Sequence, residues 1–391
     1  MQGVIIVNKK EISEIKKQLT TRKNTFTRIA GCYVSAEKEK ITTFSQMFQR
    51  LEEEEMFKYF EIFRKTLSGS LGKNLINMEF PMETEEEGGT EEFLYRLAKS
   101  ELEDEDLLDE FYDKVIDCYM TGENYLILLL FNNYDVPGKT SDNIEMTDAS
   151  DSTFSYFHCA ICPVDLSKPA LSYEPAEQAF HNRVRDWVVG MPEVGFMFPS
   201  FDDRTTDIHH TLYYSKDAED LHFDLTDKLL GCQLPLSAGL QKEAFQTVVE
   251  ETLGKDCSFD TVKTLHDSLQ EIRQQAKDAD SPDPVSLDRT TMRSLLEKSG
   301  ATPEDMESFD SSFEENAGEK GTLMLANVMS GSKFEVHTPD VTVTVSPDRT
   351  DLVQTRIIDG RECLVIPISD DVQVNGITVK HILPGAGAAE G

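Results

Sequence analysis

Basic side chains are scarce in this chain. Against 72 Asp and Glu there are 38 Lys and Arg in 391 residues, a formal charge of -34 at pH 7. A chain of that sign does not coat nucleic acid or an anionic bilayer non-specifically. Long apolar runs are also missing. The longest, Tyr125 to Phe131, falls far short of the roughly 20 residues a membrane helix needs. The start, Met1 to Val7, has no charge ahead of its apolar patch and no small-residue cleavage pattern, so no secretory signal is read there and a cytoplasmic protein is expected. Seven cysteines (Cys32, Cys118, Cys159, Cys162, Cys232, Cys257 and Cys363) are odd in number and sit in apolar stretches. They fit reduced core thiols rather than a disulfide framework. A nucleophile elbow, a His-Glu-x-x-His and a dinucleotide glycine fingerprint are all absent, which lowers the prior for a familiar enzyme.

What remains is ordinary globular composition, 39% hydrophobic and 9% aromatic, in a chain long enough for two or three cores. The fold class expected is α+β: a mixed sheet flanked by helices, a helical segment, and a small C-terminal antiparallel β module. Thr25 to Val34 and Lys40 to Phe44 read as a hairpin, and Glu52 to Leu67 as a helix with Met56, Phe60, Phe63 and Leu67 on one face. Helices are also expected at Glu91 to Lys99 and Asp104 to Met120. Tyr125 to Phe131 is apolar without alternation, the pattern of a strand buried on both faces. Phe154 to Cys162, Val194 to Phe198 and Asp207 to Ser215 are further strands. Between the first two, Phe180, Val184 and the single tryptophan, Trp187, have helical spacing and predict a helix over Ala176 to Val189. Asp278 to Pro284 reads as a linker. The organisation expected is therefore a domain over 1–277, a linker at 278–284, a helical segment over 285–332, a β module over 333–380 and a flexible tail over 381–391.

Charge is unevenly spread, and residues 1–50 carry ten Lys and Arg against four Glu. Lys9, Lys10, Lys16, Lys17, Arg22 and Lys23 form the only basic stretch. It reads as a solvated helix-initiating arm that neutralises the acidic body, with a polyanion contact as the alternative. Few aromatics are interleaved there, which argues against base stacking. The densest polar constellation is Asp202-Asp203-Arg204-Thr205-Thr206-Asp207-Ile208-His209-His210. Carboxylates and imidazoles together can hold a divalent metal or share acid and base roles, so Asp202, Asp203, Asp207 and His209 are the catalytic candidates. Strand alternation would put Asp207 and His209 on one side and His210 on the other. Cys159-Ala160-Ile161-Cys162 ends an apolar strand, where alternation sends the two thiols to opposite faces and leaves a buried pair with no redox role. Ser68 to Asn74 resembles a phosphate loop in composition only, because it follows a helix and opens a strand. Lys73 is the anion-binding candidate if the loop is more than a glycine cap.

Asn8-Lys9-Lys10-Glu11-Ile12, Phe57 to Gly69, Asp135 to Thr140, Cys162 to Pro169 and Ile358-Asp359-Gly360-Arg361 resemble a bacterial family defined only as a domain of unknown function (DUF4317). The resemblance covers nearly the whole chain. It implies a cytosolic bacterial protein, carries over no catalytic residue, and suggests initiation at Val7. In order of elements alone, the chain is similar to bacterial nucleoid-associated proteins, a likeness of architecture that carries little about function. The expectation is a non-enzymatic binding protein that works through a protein partner, with nucleic acid or a ribonucleoprotein admitted only at the basic arm, and with no cofactor or metal. The alternative is a metal-dependent hydrolase using the Asp202 to His210 segment.

Overall fold

Apolar sequence without alternation becomes, in this computed structural model, a strand covered on both sides. The structure describes residues 7–139, 145–319, 321–329, 333–367, 372–374 and 377–379; the expected tail 381–391 and the segment ahead of Val7 lie outside them. The chain divides into two compact units, Met1–Glu243 with Asp280–Ser286, and Ala244–Ala279 with Leu287–Gly391.

In the first unit the helices are α1 (Lys9–Gln18), α2 (Glu53–Thr66), α3 (Thr90–Lys99) and α4 (Glu105–Cys118). The strands are β1 (Phe26–Val34), β2 (Lys40–Met47), β3 (Leu75–Glu79), β4 (Tyr125–Lys139), β5 (Glu145–Leu166), β6 (Leu171–Glu174), β7 (Ala179–Asn182), β8 (Trp187–Val189), β9 (Val194–Phe198), β10 (Ser200–Asp202), β11 (Thr205–Asp207) and β12 (His210–Ser215). The main sheet has the order β2-β1-β4-β5-β9-β12-β3, with β8 paired to β5 off this path. The α+β expectation holds. The sheet is antiparallel at every pairing between its strands, however, where a mixed sheet was expected. Its long central strands meet as a hairpin-like pair, β4 against β5, and antiparallel neighbours need no crossover helix.

Alternation divides the core. Ile127, Leu129, Phe131, Phe157, Cys159, Ile161 and Phe196 pack with α3, α4 and Leu221–Cys232 on one face. Leu128, Leu130, Tyr156, Ala160, Cys162, Met197 and Tyr214 pack with Ile12, Ile15, Phe60 and Phe63 of α1 and α2 on the other. Cys159 and Cys162 thus occupy opposite faces. Burial, its largest cause, pushes the Cys162 thiol up to about 12 and Cys159 well above its ordinary value. Close approach of α2 explains Gly195: a Cβ there would lie 2.6 Å from both the Cys159 carbonyl oxygen and Thr66 Cγ2.

The predicted helix over Ala176 to Val189 is not formed. β6 and β7 make a hairpin instead, and β8 pairs with the far end of β5, Val164 to Leu166. Helical spacing alone builds nothing unless a neighbouring apolar surface receives the stripe, and Phe180, Val184 and Trp187 are 68%, 81% and 57% exposed.

In the second unit, helices Phe259–Asp278, Arg289–Lys298 and Met306–Ala317 pack in succession through Leu265, Leu269, Met292, Leu296, Phe309 and Phe313. Ser258 and Asp288 cap the first two by accepting from the backbone N–H of Thr261 and Thr291. Three small hairpins follow, at Phe334–His337 with Thr342–Val345, Gln354–Ile358 with Arg361–Val365, and Val372–Val374 with Ile377–Val379. Asp359 and Gly360 turn the second with φ of 50° and 75°, as an Asp-Gly hairpin requires. Phe334 stacks edge-on against Phe259, and Thr350 donates to Asp267 at 2.9 Å, tying this β module to the longest helix. No helix among the described residues is long and apolar enough to cross a membrane.

Among the described residues, one histidine is buried in the core. His158 is 1% exposed, and its Nε2 lies 2.8 Å from the Thr66 hydroxyl, whose own proton goes to the Phe63 carbonyl. Nε2 is therefore the protonated nitrogen, and Nδ1 is buried without a partner. Burial pulls the His158 pKa down to about 3. Below about 6.5 the unfolded chain takes up a proton the native one refuses, so this term stabilises the fold fully above that pH and fades as pH falls toward 3. His158→Gln keeps a donor for Thr66 but cannot titrate. Its urea midpoint should drop less than that of the wild type between pH 7 and pH 5, the difference amounting to about 2 kcal/mol; equal drops would contradict the buried neutral imidazole.

Candidate functional site

The polar constellation around 202–210 is built by a hairpin and a turn rather than by one strand. β10 and β11 pair through Ser200–Asp207, Phe201–Thr206 and Asp202–Thr205. Asp203 and Arg204 form the turn with φ of 46° and 57°, the left-handed pair that joins a two-residue hairpin. A second turn, Ile208–His209, separates β11 from β12. This break changes which side chains meet. Asp207 Oδ2 lies 2.6 Å from His210 Nδ1, and its Oδ1 accepts the His209 backbone N–H at 3.0 Å. The alternation expected across 207–210 is thus corrected: Asp207 and His210 are partners, and the His209 ring is elsewhere. Burial opposes the charged His210, but the hydrogen bond and charge of Asp207, with Glu79 and Asp202, raise its pKa. Burial likewise disfavours the Asp207 carboxylate, and the two histidines outweigh it to lower its pKa.

Of the catalytic candidates, Asp202 is 8% exposed at the end of β10. Burial, then the Asp207 charge, raise its pKa against the backbone N–H of Asp203 and the His210 charge. Asp203 is exposed in the turn. His209 points its Nδ1 at Glu85 Oε1 and Glu91 Oε1, 3.2 Å from each. Asp202, Asp203, Asp207 and His209 are not brought to a common ligand point; Glu85, Glu91 and His209 are the set that converges, their ligand atoms all within 4.8 Å of one another. Burial raises the Glu91 pKa, the His209 charge opposes it, and Glu85 adds to it. In the sequence neither acid is a site candidate, and Glu91 only opens the helix expected over Glu91 to Lys99. No spacing rule connects them to a histidine more than a hundred residues away.

The basic stretch is not a free arm. Ile12, Ile15 and Leu19 bury α1 in the core. Lys16 donates to Ser68 at 2.7 Å, Lys10 pairs with Asp280 at 3.5 Å, and Lys9, Lys17 and Arg22 are exposed; the Lys23 side chain lies outside the described residues. Lys73 is exposed in the turn between α2 and β3, its backbone N–H donated to Ser70.

A residue missed in sequence joins the helix to the hairpin. Glu11, 5% exposed, accepts from Asn8 N as the third residue of a capping box and from Arg204 N in the β10–β11 turn. Arg204 in turn reaches Glu14 at 3.1 Å and the Pro137 carbonyl at 2.7 Å.

A family profile for a domain of unknown function, DUF4317, matches residues 7–377. The chain belongs to that family. No curated protein matches it in sequence.

Glu11→Gln keeps one of the two acceptor oxygens, whereas Glu11→Ala leaves both backbone donors unpaired. The alanine variant should lose about 1–3 kcal/mol of unfolding free energy relative to the glutamine variant, measured by urea titration; equal stability would show that the junction carries no load.

Proposed function

We propose that this protein is a cytosolic bacterial binding protein whose partner is another protein, engaged at the segment from Leu171 to Met191. The observation that carries the reading is exposure. Leu171, Tyr173, Phe180, Val184 and Trp187 are between 53% and 81% exposed, and Val188, Val189 and Met191 between 38% and 50%. Scattered surface apolar groups are normal, but eight within a single segment of the chain, with the Tyr173 and Phe180 rings in contact, support an interaction surface. Tyr and Trp are also the anchors that protein interfaces favour.

Two details narrow the occupant. β8 is hydrogen-bonded to β5 alone in the sheet order, which supports an extended segment adding to its open edge. Around it Lys168, Arg183 and Arg185 offset only part of the charge of Asp165, Glu174, Glu177, Asp186 and Glu193, and the whole chain carries -34. Long-range attraction therefore favours a basic partner, and the apolar contacts hold it locally.

The nucleic-acid expectation has less support, because the exposed cations of the N-terminal helix are few and one is already paired. The hydrolase expectation also has less, because its four residues do not converge.

The test places a photo-crosslinking amino acid at Phe180 in cells of the source bacterium. The expected result is one adduct with a basic protein, lost in a Tyr173→Ser, Trp187→Ser background whose thermal midpoint is unchanged. An adduct of two copies of this chain, a nuclease-sensitive adduct, or none at all would overturn the proposal.

A further inference from the structure

Glu85 ends a short 3-10 turn, Met82–Glu85, Glu91 lies in the first turn of α3, and His209 occupies the turn before β12. Three separate segments thus deliver one oxygen each from two carboxylates and one imidazole nitrogen to a single point. The positions are fixed from behind: the His209 carbonyl accepts from Phe80 N, its N–H goes to Asp207, and Thr90 next to Glu91 donates to the Leu230 carbonyl at 2.8 Å.

A second observation concerns the partnering of Glu91. Its side chain is 4% exposed. The hydroxyl that reaches its Oε2, that of Thr84, is 3.4 Å away and also lies 2.6 Å from the Pro81 carbonyl. A hydroxyl has one proton, and the shorter bond takes it. A carboxylate held out of water is thus left with the His209 ring as its close partner, and desolvated carboxylates require more than that.

Spacing points the same way. Donors about 2.1 Å from a common ion lie roughly 3.0–3.4 Å apart in octahedral or tetrahedral geometry; the imidazole nitrogen is 3.2 Å from each carboxylate oxygen, and the two oxygens are within 4.8 Å of each other. The His209 and Glu85 side chains are 53% and 44% exposed, so one side of the cluster faces water that can complete the coordination.

We propose that Glu85, Glu91 and His209 bind a divalent transition-metal cation, with water in its remaining positions. One nitrogen and two oxygens favour zinc over manganese, and both over magnesium and calcium, which take oxygen ligands alone. Binding ties the 82–85 turn, α3 and the β11–β12 turn together. This replaces the expectation, formed from sequence, that the chain takes no metal.

The experiment is calorimetric titration of the full, tag-free chain with zinc and then manganese chloride, after treatment with chelator and its removal. One saturable site is expected, tighter for zinc, with affinity reduced at least about tenfold in Glu85→Gln, Glu91→Gln and His209→Gln. His337→Ala removes an exposed imidazole paired with Glu335 and should leave the site unchanged. Should Glu91→Gln fail to fold, Glu85→Gln and His209→Gln decide, since both change partly exposed side chains. No saturable site in the wild type, unchanged affinity in those two variants, or loss in His337→Ala would overturn the assignment.

Discussion

Burial of β4 and β5 on both faces is the constraint on which the rest depends. A strand whose side chains are apolar in both directions must be covered twice, so the sheet needs a helical layer on each side. One layer is supplied by α1 and α2, the other by α3, α4 and the segment through Leu230. That requirement turns the basic N-terminal stretch into a packed helix: Ile12 and Ile15 are needed under the sheet, and the lysines are carried along on the outer side. It also decides where polar chemistry is tolerated. Inside the sandwich a titratable group must stay neutral, as His158, Cys159 and Cys162 do. The cluster of Asp202, Asp207 and His210 lies at the ends of strands, where β10, β11 and β12 turn.

Much of this was legible in the sequence, and the reasons are local. Phe60 and Phe63 repeat at helical spacing, Tyr125 to Phe131 does not alternate, and Asp359-Gly360 prescribes a hairpin turn; each signal is contained in a dozen residues. The segment around Trp187 failed because its outcome is non-local. Phe180, Val184 and Trp187 would form a stripe on a helix, but β8 finds backbone partners at Val164 to Leu166, and Tyr173 meets Phe180 across a hairpin with ring centres 5.2 Å apart. Tertiary pairing overrode a correct periodicity. The candidate site was half legible. Composition singled out the 202–210 segment, yet strand alternation mispaired its histidines because a turn at 208–209 interrupts the strand.

The two proposed sites differ in how the fold pays for them. Glu91 costs desolvation energy that its neighbours only partly offset, the condition under which a bound cation gains most. The Leu171 to Met191 segment instead gives up burial: a hairpin satisfies its backbone while its apolar side chains stay in water.

That exposed hairpin has a colloidal consequence. At neutral pH each molecule carries a large excess of negative charge, and repulsion between like-charged copies keeps their apolar faces apart. The isoelectric point is about 4.5. As a solution is acidified toward that value the repulsion vanishes while the apolar contact energy does not, so self-association is expected first at Trp187 and its neighbours.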